Sequence, residues 1–162
     1  MSETSPIRLR EYGTSGPVVV VIHGGPGAPG SAAGLARGLA DDFRVLEPLQ
    51  RGSGDRPLTV ARHVADLHDL ITSRGLPQPA LVGHSWGAML ALAFAAEHPR
   101  VAGPIVLVGC GTFDPDARAR LEENLARRTD DRMRRRLQRV DAGANDPDER
   151  LRRKYEVIRP LY

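Results

Sequence analysis

The 162-residue chain carries a formal net charge of +3 and can form one domain with a sizeable core, and nothing in its length requires two. Its single cysteine, Cys110, excludes an internal disulfide and favours a reducing, cytoplasmic setting. The opening residues MSETSPIRLREYG lack the apolar core of a signal peptide, and no segment approaches the roughly 18 apolar residues of a membrane span, so a soluble chain without a membrane partner is expected.

In chain order, IRLREYG (7–13) alternates in a half-exposed way and predicts an edge strand. PVVVVI (17–22) is a continuous β-branched run of the kind buried on both faces of a parallel sheet, and RVLEP (44–48), PALVG (79–83) and PIVLVG (104–109) repeat the theme. Val60, Val64, Leu67 and Ile71 form one helical stripe, stopped by Gly75 and Pro77. Ala88 to Ala96 is apolar all round, predicting a central helix that Pro99 closes. Alternating strands and helices imply a mainly parallel sheet with right-handed crossovers.

After Gly111 no strand signal remains. Residues 114–129, 130–141 and 147–159 read as short charged helices, because arginines and acids make up about half of the chain from Asp114 onward. Arg132, Arg134, Arg135 and Arg136 lie among Asp130, Asp131 and Asp141 with no aromatic residues between them, which predicts a solvated face rather than a nucleic-acid contact.

The chemistry concentrates in LVGHSWGAML (81–90). A short strand leads into Gly83-His84-Ser85-Trp86-Gly87, and a helix follows. A serine lifted onto a sharp turn between strand and helix presents its hydroxyl as a nucleophile, and small residues two positions away on either side let the turn close. The Trp86 N–H, at the start of the helix, is aimed where a tetrahedral oxyanion forms.

HGGPGAPG (23–30) permits two readings. Gly25, Gly27 and Gly30 match the G-x-G-x-x-G dinucleotide fingerprint, a helix-like segment follows, and Glu47 stands about 20 residues on, where an acid holds a ribose. Against it, Pro26 and Pro29 remove N–H donors that a pyrophosphate cradle needs. In a hydrolase the same loop supplies the second oxyanion donor, with Gly25 the expected residue and His23 a structural support.

HGGPG (23–27), QRGSG (50–54) and GHSWG (83–87), in this order, make the chain resemble the α/β-hydrolase superfamily, and within it the proline iminopeptidase-like branch, over roughly residues 7–113. The resemblance implies an α/β-hydrolase core in residues 1–113, the beginning of a helical cap in 114–162, and C-terminal strands absent from this chain. It implies Ser85 as nucleophile, Gly25 and Trp86 as oxyanion donors, and Arg51 with Gly52 in a loop bordering the pocket. Two positions depart from the branch: Leu49 stands where an aspartate is usual, and His84 where glycine is more frequent.

No base is visible for Ser85. In family order an acid and then a histidine follow the serine, yet the sole later histidine, His98, lies thirteen helical residues on, roughly 20 Å away. His84 adjoins the serine but leaves the turn in another direction, and His63 and His68 belong to a helix expected on the outer face of the sheet. Asp114 or Asp116 could take an alternative acid position, although Asp114 also suits a helix cap. The triad acid and histidine are therefore expected beyond Tyr162. The expectation is a serine hydrolase acting through an acyl-enzyme on a small peptide with an N-terminal proline or apolar residue, or on an ester, inactive in this form and needing no cofactor or metal. The alternatives are a dinucleotide-binding domain and a non-catalytic binding module.

Overall fold

The computed structural model describes residues 7–161 except 26–27, 53–57 and 144–145. Five strands form one sheet: β1 (Arg8–Tyr12), β2 (Val18–Ile22), β3 (Arg44–Leu49), β4 (Ala80–His84) and β5 (Ile105–Val108), in the spatial order β1-β3-β2-β4-β5. β1 runs antiparallel to β3 at one edge, and the other pairs are parallel.

β2 sits at the centre because its side chains are apolar on both faces. Val19 and Val21 pack with Val45, Val82 and Ala36 on the side of α1 (Ala33–Gly38). Val20 and Ile22 pack on the other side with Val64, Leu67 and Ile71 of α2 (Val60–Ser73) and with Leu90, Ala91 and Phe94 of α3 (Trp86–Glu97). The period of two along a strand and of three to four along a helix thus meet in two apolar layers.

One sequence expectation needs correction. Val60 does not belong to the buried stripe of α2; as the first helical residue it is exposed, and His63 and Leu70 turn inward with Val64, Leu67 and Ile71. PIVLVG forms the strand at the sheet edge among the described residues, where Val106, Leu107 and Val108 are exposed.

From β2 the chain passes through α1 to β3 on one side and then crosses through α2 to β4 on the other. The carboxyl ends of β2 and β4 therefore flank a topological switch point, where open α/β sheets place their ligand crevice. All three glycine-containing motifs leave the sheet at this end.

The chain divides into two compact units between Gly111 and Thr112. The second contains α4 (Pro115–Arg128), α5 (Asp131–Gly143), α6 (Pro147–Ile158) and a short 3-10 turn (Arg159–Leu161). Asp114 caps α4, its side chain accepting the Ala117 N–H at 2.6 Å, which is the ordinary capping role. Among the described residues no helix is long and apolar enough to cross a membrane.

Candidate active site

Ser85 is the residue between β4 and α3, with φ 54° and ψ −115°. A positive φ is uncommon for a residue bearing a Cβ and costs about 1–3 kcal/mol, so the surroundings must hold the turn in place. The Ser85 N–H donates to the Val108 carbonyl at 2.9 Å, extending the β4–β5 ladder into the turn, and the Ser85 carbonyl accepts from Ala88 N–H at 3.1 Å to start the helix.

The flanking glycines are needed for close approach. A Cβ on Gly83 would run into the Gly87 carbonyl and the Ala88 backbone, and one on Gly87 would run into the Ile22 carbonyl. Neither glycine has a positive φ. Absent side chains thus let the first turn of α3 rest on the ends of β4 and β2.

The loop after β2 comes to the same place. A Cβ on Gly24 would stand 3.2 Å from Ser85 Cβ and 3.0 Å from His84 Nδ1, and Gly25 takes the left-handed φ of 43° that glycine adopts without strain. Trp86, the first residue of α3, donates its N–H to no backbone acceptor among the described residues, as expected of a helix N-terminus. Ser85, Trp86 and the loop carrying Gly25 are therefore neighbours.

His23 is fully buried beneath this loop. Its Nε2 accepts the Gln50 N–H at 3.0 Å, so the neutral ring carries its proton on Nδ1 and donates to the Gly24 carbonyl at 3.0 Å. Burial pushes the His23 pKa down, which the Glu47 carboxylate and the neighbouring backbone only partly oppose. The ring is a structural strut, as the sequence suggested.

Arg51 forms a two-pronged ion pair with Asp66 of α2, each contact 2.5 Å long. His63, one turn earlier on α2, is buried and stands edge-on to Trp86 with ring centroids 6.0 Å apart; its Nε2 has no partner among the described residues. Burial lowers the His63 pKa, with Arg51, His23 and Arg62 acting the same way against Asp66. The sequence reading placed His63 in a helix on the outer face of the sheet, away from the serine. Instead, α2 turns this face toward the first residue of α3.

Other predicted residues do not join the site. Ser85 Oγ has no hydrogen bond to a histidine or carboxylate among the described residues, and His98 caps the far end of α3 against His68 and Phe94. Glu47, the acid of the dinucleotide reading, is fully buried and accepts the Tyr12 hydroxyl at 2.8 Å, so it has no free face for a ribose. Gly27 of that fingerprint, Pro26, and Ser53 and Gly54 of QRGSG lie outside the described residues.

Residues 19–160 match the model of the Alpha/beta hydrolase family. A proline iminopeptidase of Neisseria meningitidis is 35% identical over 133 residues, covering 76% of this chain and 42% of that protein. Among solved structures, epoxide hydrolase A from Mycobacterium thermoresistibile has a TM-score of 0.54 at 31% identity, over 62% of this chain and 34% of that one. A marine microorganism esterase has a TM-score of 0.61 at 22% identity, over 93% of this chain and 62% of that one, a likeness of fold. The chain spans 31–42% of the length of the first curated relatives it matches. With a strand-turn-helix serine at the switch point of the sheet and a family match over most of its length, the chain belongs to the alpha/beta hydrolase family.

Proposed function

We propose that this chain carries the nucleophile and oxyanion half of a serine hydrolase working through an acyl-enzyme. The observation that carries this reading is the strained Ser85 turn with the Gly24-Gly25 backbone at its side and the Trp86 N–H at the start of α3, which meets no backbone acceptor among the described residues. A base that the described residues do not supply takes the Ser85 hydroxyl proton as Oγ attacks a carbonyl and passes it to the leaving group. The Gly25 and Trp86 N–H groups hold the developing oxyanion, and water then releases the acyl group while a proton returns to Oγ.

The described residues supply no base to Ser85 Oγ, and losing the serine or histidine of a triad costs roughly 10⁶ in kcat. The 162-residue chain alone therefore turns over little or no substrate. The reading requires a histidine and an acid that the described residues do not bring to Ser85. The proline iminopeptidase relative supports a small substrate with an N-terminal proline or similar apolar residue. Leu49 and His84, which depart from that branch, favour a carboxylic ester as the second substrate class.

The test uses a proline arylamide and a short-chain aryl ester with three proteins: the 162-residue chain, a longer form supplying the acid and histidine, and that form with Ser85→Ala. Turnover is expected in the longer form alone. Robust turnover by the short chain, or no loss on Ser85→Ala, removes the assignment.

A further inference from the structure

Gln50 touches all three motif loops. Its backbone N–H donates to His23 Nε2 at 3.0 Å, its side-chain Nε2 donates to the His23 carbonyl at 2.8 Å, and its Oε1 accepts the indole Nε1–H of Trp86 at 2.9 Å. The side chain is buried, so these bonds are made out of competition with water.

The sheet leaves a gap for this residue to fill. The β2–β3 ladder pairs Val18 with Arg44, Val19 with Val45 and Val20 with Leu46, then stops two residues before Pro48, which has no backbone N–H. On the other side β2 pairs with β4 as far as Ile22 and Gly83. Beyond these points no ladder bond fixes the loop after β2 against the turn after β4. Gln50 does so with one planar amide.

We propose that Gln50 is a positioning residue that sets the separation of the two oxyanion donors. Its Nε2 holds the peptide chain that continues through Gly24 to Gly25, and its Oε1 holds the ring of Trp86, the residue that supplies the other N–H. The chemistry selects glutamine because the position needs an acceptor and a donor on the same rigid group. Glutamate keeps the acceptor but turns a carboxylate oxygen toward the His23 carbonyl, and leucine removes both. This inference rests on the serine-hydrolase reading above.

Trp86 is the only tryptophan in the sequence, so its indole N–H gives one resolved NMR signal. In the 162-residue chain, Gln50→Leu is expected to move that signal and speed its solvent exchange at least about tenfold, while Gln50→Glu keeps it near its original position. In a form that turns over ester or arylamide, both variants are expected to lower kcat by up to about 100-fold, as for a donor displaced by about an ångström, with KM changed less than about threefold. Gln50→Glu keeps the size of the side chain and carries the kinetic test should Gln50→Leu fold poorly.

An indole signal indifferent to Gln50→Leu, or kcat unchanged in Gln50→Glu, overturns the proposal. Loss of turnover in Ser85→Ala with full turnover in both Gln50 variants removes this inference and leaves the serine reading standing. Retained turnover in Ser85→Ala removes both.

Discussion

Arg51 and Asp66 show how much a residue behind the site can matter. The pair is nearly out of water, with side chains 17% and 8% exposed, and its two N–H···O bonds satisfy the guanidinium edge and both carboxylate oxygens. Asp66→Ala takes this buried carboxylate away from Arg51 and is expected to lower unfolding stability by roughly 2 kcal/mol, read as a lower urea midpoint. A loss within about 0.5 kcal/mol contradicts a desolvated pair. His23 and His63 predict a pH dependence. Both have pKa values lowered by burial, so on acidification the unfolded chain takes up protons first, and native stability falls as pH drops below about 6.5. The urea midpoint should be lower at pH 5 than at pH 7.5. His63→Phe, which replaces a ring lacking a partner on Nε2, should flatten part of that slope. The sequence marked Gln50 as a motif residue but not its two partners, His23 and Trp86. These stand 27 and 36 residues away, beyond any local periodicity.

Among elements, the contrast between β2 and β5 is the most informative. Both read as apolar runs in sequence, but β2 has a strand on either side and β5 has one, so burial followed neighbours rather than composition. An exposed edge with Val106 at 51% and Leu107 at 42% is a template for association between sheets. Val106→Lys is expected to raise the solubility limit of the 162-residue chain, measured by light scattering against concentration, without lowering its melting temperature by more than about 2 °C. Equal aggregation in the variant would place the sticky surface elsewhere. The α3–β2 junction has the opposite character. Because a Cβ at Gly87 runs into the Ile22 carbonyl, Gly87→Ala should cost about 2 kcal/mol despite the higher helix propensity of alanine, and a stabilised variant would contradict the close approach.

At the scale of the whole molecule, the two units differ in how much they bury. Residues through Gly111 hold both apolar layers, whereas α4 and α5 contain no buried residue and, among the described residues of its unit, Val157 of α6 is the buried apolar one. Their i,i+3 and i,i+4 ion pairs, such as Arg118 with Glu122 and Arg127 with Glu123, are exposed and each contributes only a few tenths of a kcal/mol. Hydrogen exchange followed by mass spectrometry should show amides of α4 and α5 exchanging at least about 100-fold faster than those of β2 and β4. Protection of α4 equal to that of β2 would mean that the second unit is held by more than its own contacts.

From the residues alone one could read the alternation of buried strands with helices and the serine turn at residues 83–87, because each depends on side-chain period or on glycine and proline within a few positions. The helix spans after Gly111 were legible for the same reason: Asp and Pro mark their starts. That His63 faces Trp86 and that Gln50 joins the loops after β2 and β4 were decided only by the tertiary structure. Strand order and side-chain hydrogen bonds between distant loops depend on how the crossovers pack, and no short window of sequence contains both partners.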